Sequence, residues 1–266
     1  MRKVRPTAGS LALMLALGAC GTGAGDETTP DRGPDQTPAT PALQDDRDGD
    51  YVTIEVMDGG TVRGVVRFNG DVPPPRSVPV TTDTTICGST RWLQPVVVGP
   101  HGGLADAVVS LADIRRGAAF APESPAALDQ RGCRFAPHVL LARATGTVQV
   151  LNSDPLTHNV HVAAFDNRSV NRTQPAGAEA IELRFDVPEK VRVKCDLHPW
   201  MSAWIVVSKH PYHSITDETG SFVLGDIPPG TYAVEVWHET LGARRRTVTV
   251  APGDAVDLTL EITADD

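Results

Sequence analysis

The chain reads as an all-β protein, and three observations predict this. Apolar and polar residues alternate with a period of two through most of its length. Turn formers are abundant, with 24 glycines and 22 prolines among 266 residues. The 3.6-residue apolar repeat of an amphipathic helix is almost absent. Taken in order, alternation predicts strands at 52–56 and 60–68, after which Pro73, Pro74 and Pro75 break the run because proline cannot donate to a strand ladder. Strand character resumes at 107–111 and again at 147–152, which ends in a turn at Ser153, Asp154 and Pro155. Further strands are expected at 181–185, 191–193 and 204–207. A turn-rich stretch, 216–224, leads through Pro228, Pro229 and Gly230 into 227–236, and strands at 246–250 and 256–262 complete the chain. Gly220 and Gly230 are expected to supply turns of positive φ, and Pro229 to preset the turn before Tyr232.

The N-terminus carries Arg2, Lys3 and Arg5, then an apolar run from 11 to 17, then Leu17-Gly18-Ala19-Cys20. A short apolar run behind positive charge is a secretory signal, well below the roughly 20 apolar residues of a membrane-spanning helix. The Leu-small-small-Cys ending resembles the bacterial lipobox, which implies cleavage before Cys20 and lipidation of its thiol. Residues 1–20 are thus expected to be a lipoprotein signal, and 21–50 a disordered tether with almost no large apolar residue to bury. The formal net charge of −9 owes much to the acidic residues of that tether, and nucleic acid is not an expected partner. The protein is expected at the cell envelope on the extracytoplasmic or periplasmic face, touching membrane through lipid alone.

The densest chemistry lies in Cys195-Asp196-Leu197-His198-Pro199-Trp200-Met201, with a second imidazole source upstream in Thr157-His158-Asn159-Val160-His161. Two histidines and a cysteine with a weak axial methionine form the ligand set of a mononuclear blue-copper site. Thiolate and thioether suit the cuprous ion and imidazole suits the cupric one. The order and spacing of these residues, behind an Asn-containing strand, resemble the cupredoxins, most closely the amicyanin and plastocyanin type, over roughly 133–208. The resemblance implies one type-1 copper ion held by His158, Cys195, His198 and Met201. It also implies that Asn159 ties the two ligand segments together, its backbone N–H bonding the cysteine sulfur. His161, three residues after His158, would point to the opposite strand face and serve as a packing or surface residue.

The segment around Asp217-Glu218-Thr219-Gly220-Ser221-Phe222 and Pro228-Pro229-Gly230-Thr231-Tyr232 resembles the carboxypeptidase regulatory-like (transthyretin-like) β-sandwich. The opening strands of that family are found only before the copper motif, at 61–68 and 107–111. We therefore expect a cupredoxin Greek-key sandwich, 113–208, inserted in or adjacent to a transthyretin-like sandwich built from 51–112 and 209–264, with three small β-modules in series as the alternative. With Cys20 lipidated and Cys195 on copper, Cys87 and Cys133 remain in an oxidising compartment, where they bridge or persist as two buried thiols. His210 and His213 read as a polar junction loop, with no cysteine or carboxylate spacing to make a second metal site. His138 reads as structural, and the basic run 244–246 as a strand edge where positive charge discourages edge pairing.

These features imply a carrier of single electrons between redox partner proteins. His198 would be the exposed edge of the site, and Pro199 and Trp200 would form the small docking surface that transient redox encounters use. An envelope binding or structural lipoprotein and a copper-delivery protein are the alternatives. Neither a hydrolase signature nor a second copper centre is found in the sequence, so the protein is expected not to be an enzyme.

Overall fold

The computed structural model describes residues 50–122 and 125–264; the expected signal, Cys20 and nearly all of the tether lie outside the described residues. The described chain is all-β, its helical content limited to Thr84–Cys87 and the single 3-10 turn Pro100–Gly102.

Two apolar cores divide the folded chain. The first is enclosed by a three-stranded sheet, in the order Ser221–Ile227, Gly60–Asn69, Ala255–Thr263, and a four-stranded sheet in the order His213–Ile215, Val108–Ala112, Gly230–His238, Gly242–Val250. Gly60–Asn69 alternates as its sequence requires, sending Val62, Val66 and Phe68 inward onto Leu111, Val234, Val236, Leu258 and Leu260. This strand pairs antiparallel with Ser221–Ile227 and parallel with Ala255–Thr263, partners that lie beyond the Cys195-to-Met201 segment in sequence. Closing so long a loop costs entropy that grows only logarithmically with length, and burying these aliphatic side chains offsets it.

The second core lies between the sheet Ile181–Arg184, Thr147–Asn152, Ala126–Gln130, Phe135–Ala136 and the five-stranded sheet Val170–Gln174, His158–Ala163, Glu189–Lys194, Ser202–Ser208, Val139–Arg143. Its interior includes Leu128, Val148, Val150, Val160, Val191, Val193 and Ile205. The hairpin Arg76–Pro79 and Thr90–Leu93, with Thr84–Cys87 at its tip, departs from the expected layout. It falls within 51–112, yet its Val80 and Cys87 are buried in this second core. A disulfide joins Cys87 to Cys133, with Cα atoms 5.6 Å apart.

Val108, Val139 and Val206 form a small third cluster where the two sandwiches meet, flanked by Trp237. Polar contacts reinforce the junction: Glu239 pairs with His138 and accepts a hydrogen bond from Trp204 Nε1, and Lys190 reaches Glu235 at 2.8 Å.

Two glycines have distinct uses. Gly220 has φ of +77°, and a Cβ there would lie 2.3 Å from the Val66 carbonyl oxygen, so this turn admits no side chain. Gly230 is not in the left-handed region, contrary to the sequence expectation. Its lack of a side chain makes room for the Tyr232 ring, whose hydroxyl donates to the Pro228 carbonyl at 2.7 Å.

Candidate metal centre

Strand pairing brings the two halves of the motif together. His158 opens the strand His158–Ala163, and Cys195 follows the last residue of its antiparallel neighbour Glu189–Lys194, so both stand at one end of the same sheet. The loop from Cys195 to Met201 is closed by its own backbone: the Cys195 N–H donates to the Met201 carbonyl at 3.1 Å, and the Met201 N–H to the His198 carbonyl at 2.9 Å. This closure turns His198 back over the sulfur.

One ligand atom each from His158, Cys195 and His198 lies within 4.8 Å of the others, and all three residues are buried. His158 Nδ1 is 3.0 Å from His198 Nδ1, which is 3.6 Å from Cys195 Sγ. Met201 is buried in the same core.

What lies behind the two rings decides what they present in front. His158 Nε2 is 2.8 Å from Asp154 Oδ2, and His198 Nε2 is 2.9 Å from Asp83 Oδ2. A carboxylate accepts, so each contact favours the tautomer with its proton on Nε2, which directs a bare Nδ1 lone pair inward. Two buried acceptors then face each other at 3.0 Å with only the weakly donating Cys195 thiol beside them, an arrangement that costs free energy and that a cation among them would relieve. The donor set therefore fits a metal ion. Zinc in a structural site takes four N, S or O ligands, yet among the described residues no further His, Cys, Asp or Glu joins this group. The loop that carries Cys195 and His198 also carries Met201, buried in the same core, whose thioether would be a soft ligand suited to copper.

The surrounding polar groups orient this triangle. Asp154 accepts from the backbone N–H groups of Gly132 at 2.6 Å and Cys133 at 2.8 Å as well as from His158. Burial opposes its charge, but the Cys133 N–H, the His158 ring and the Gly132 N–H outweigh burial and hold the carboxyl below its ordinary range. Burial likewise pushes the His158 imidazole below its usual pKa, against the pull of Asp154 and with the neighbouring His198 adding to the effect. The Asn159 N–H donates to Cys195 Sγ at 3.3 Å, while its side-chain oxygen accepts from the Asp196 N–H at 3.1 Å, linking the two ligand segments. His161 lies on the other strand face, its Nδ1 2.9 Å from Asp196.

Two expectations about the outer edge need correction. His198 is 0% exposed because Asp83, from the 76–93 hairpin, covers its outer nitrogen, so it is not a bare edge of the site. Trp200 does not line a docking surface either: it is 7% exposed, its indole N–H donates to the Cys133 carbonyl at 3.1 Å, and its ring packs 5.1 Å from that of His198. Pro199 and Leu197 do reach solvent.

Sequence reasoning missed Asp83 and saw in Asp154 only a turn residue. It also missed the part played by Cys133, which bonds Cys87 through its sulfur, Asp154 through its N–H and Trp200 through its carbonyl. Spacing gives no signal for Asp83, since it lies 115 residues from His198. The Asp154–His158 pair does have a readable signal, a carboxylate in the turn four residues before the first histidine.

No protein-family model and no curated protein matches the chain. Among solved structures it is similar to a Cu-containing nitrite reductase from Thermus scotoductus SA-01, at 22% identity over 35% of this chain and 24% of that one, with a TM-score of 0.31. It is also similar to a purple cupredoxin from Nitrosopumilus maritimus, at 19% identity over 31% of this chain and 99% of that one, with a TM-score of 0.27. Amicyanin from Paracoccus versutus gives 17% identity over 33% of this chain and 85% of that one, with a TM-score of 0.28. The chain thus spans about a quarter of the length of the nitrite reductase. The expectation that the protein is not an enzyme is withdrawn, because the first of these structures is itself an enzyme and the likeness gives no ground for excluding catalysis.

Proposed function

We propose that this protein is a type-1 copper protein that carries single electrons between redox partner proteins at the cell envelope, held to the membrane by lipid on Cys20. His158, Cys195 and His198 would hold one ion, with Met201 as the weak axial ligand. In this layout the copper sandwich is inserted between the halves of a second sandwich, so that the chain enters and leaves it from one rigid base. When bound, copper would supply a one-electron couple between its cuprous and cupric forms. The protein's own part is to keep both Nδ1 lone pairs and the sulfur in one geometry whether or not an electron is present. Asp154 backs the His158 ring through Nε2, a second carboxylate meets the His198 ring, and the Asn159 N–H bonds the sulfur. Burial of all three ligand residues keeps water from competing for the site.

The observation that carries this reading is the convergence of two imidazole Nδ1 atoms, 3.0 Å apart, on a buried thiol, each ring backed by a carboxylate. Titrating purified protein with cupric ion tests it. An intense thiolate-to-copper charge-transfer band in the visible, saturating at one ion per chain, is expected. Colourless binding, or saturation at several ions, would overturn the reading.

A further inference from the structure

The hairpin 76–93 is not needed to complete the ligand set, yet it ends against the ligand that lies outermost. Its tip is fixed from several sides. Cys87 is bonded to Cys133, the Val80 N–H donates to the Ser89 carbonyl at 3.0 Å, and Arg91 donates to the Gly132 carbonyl at 2.9 Å. Val80 and Cys87 are buried in the same core as Cys195 and Met201. Asp83 stands at the start of the helix Thr84–Cys87 with φ of +53°, a conformation aspartate and asparagine tolerate and most residues do not. Its carboxylate makes no cap bond to that helix. It is turned instead onto His198 Nε2 at 2.9 Å, with the Asp83 side chain 46% exposed and the His198 side chain 0% exposed.

We propose that Asp83 is a positioning residue for His198: it fixes the ring proton on Nε2 and stands in place of the imidazole edge as the outermost group of the metal centre. This rests on the copper reading. A ring with solvent at Nε2 exchanges its proton freely between the two nitrogens, and the Nδ1-protonated form cannot bind a metal through Nδ1. Accepting the Nε2–H bond suppresses that form before any ion arrives, as outer-shell carboxylates do for metal-bound histidines. The same contact lengthens the path to an outside reagent by a carboxylate and the turn that carries it. Small redox reagents therefore meet Asp83 and the hairpin, not the ring.

Two substitutions separate the hydrogen bond from the charge. Asp83→Gly removes the carboxylate and suits the positive φ. Asp83→Asn loses the same charge but keeps an acceptor of the same reach. In metal-free protein, nitrogen NMR of the His198 ring should show a single Nε2–H tautomer with a slowly exchanging proton in the wild type and in Asp83→Asn. Asp83→Gly should give mixed tautomers and fast exchange. On loading, cuprous affinity in Asp83→Gly should fall by about 10- to 100-fold, with most of it restored in Asp83→Asn. Electron exchange with a small inorganic redox complex should be faster in Asp83→Gly than in Asp83→Asn. Equal tautomers, proton exchange and affinity in the Gly and Asn variants would overturn the proposal. If none of the three proteins binds copper, the copper reading fails, and the metal-free NMR comparison still decides the role of Asp83.

Discussion

The described residues hold two pairs of neighbouring histidines, one buried and one half-buried, and the pairs differ in what surrounds them. His158 and His198 have ring centroids 4.8 Å apart, a carboxylate behind each ring and a thiol in front. His210 and His213, at 6.3 Å, lie among Tyr51, Phe120 and Tyr212, and the Nδ1 atoms of both are buried without a hydrogen-bond partner. Burial pushes both of the latter down to about 4, helped at His210 by the charges of His213 and Lys209. Burial alone thus makes an imidazole neutral without aiming it at anything. An acceptor behind the ring fixes which nitrogen carries the proton, and only then does the other nitrogen become a directed ligand.

The most drastic way to break this contrast is to remove the sulfur. In Cys195→Ser a hard, weakly acidic hydroxyl replaces the thiolate, and the charge-transfer band should vanish completely while the β-fold persists, as visible absorption and far-ultraviolet circular dichroism would show. A variant that retained the band would remove Cys195 from the ligand set. Next in size is the comparison of His158→Ala with His161→Ala. The first should lose copper affinity by orders of magnitude and leave the Asp154 carboxylate without its ring partner, whereas the second should bind copper normally, having lost only half-exposed contacts to Asp196 and Asn171. Exchanged phenotypes in a copper titration would mean that the first ligand has been misassigned.

Much of this was legible in the chain, for reasons that also mark what was not. Alternation exposes strands such as Thr147–Asn152 and Gly60–Asn69 because each keeps one face in a core. The ligand motif is legible because a seven-residue loop must carry three donors in fixed order. The hairpin 76–93 gives no such signal: its strands are four residues each, its helix is four residues, and prolines precede it. Asp83 is hidden among 33 acidic residues, since a through-space partner of His198 leaves no spacing in sequence. The exposed edge expected at His198 failed for the same reason, because the group covering it comes from a segment with no periodicity of its own.

Acid should act on the second histidine pair with a size that ordinary denaturation can read. Because the folded-state pKa values of His210 and His213 are depressed from 6.5 to about 4, the unfolded chain takes up protons below pH 6.5 that the folded chain refuses. Stability should therefore fall as pH drops from about 6.5 toward 4, by up to ~3 kcal/mol per histidine. His138 works the other way. Its hydrogen bond to Glu239 raises its pKa against burial, so its contribution is present below 6.5 and lost as pH rises through the raised value. Replacing His210 and His213 together by leucine should flatten the acid limb of urea midpoint against pH. An unchanged limb would mean that these rings are protonated in the native state and that the contrast between the pairs is not one of charge.

The mildest test asks what the fourth donor adds to the first pair. The backbone of Met201 closes the ligand loop through both its N–H and its carbonyl, contacts that any side chain preserves. Its side chain is buried in the same core as Cys195, where on the copper reading its thioether would be a weak ligand. Met201→Gln keeps the length of the side chain and offers an amide oxygen, a known axial alternative. The variant should hold one copper per chain and stay coloured, with a shifted band and a changed reduction potential, and should lose about 1–3 kcal/mol of stability from burying an amide. Loss of copper in Met201→Gln would show that the sulfur is a full ligand and that the pair of histidines and the thiolate do not hold the ion by themselves.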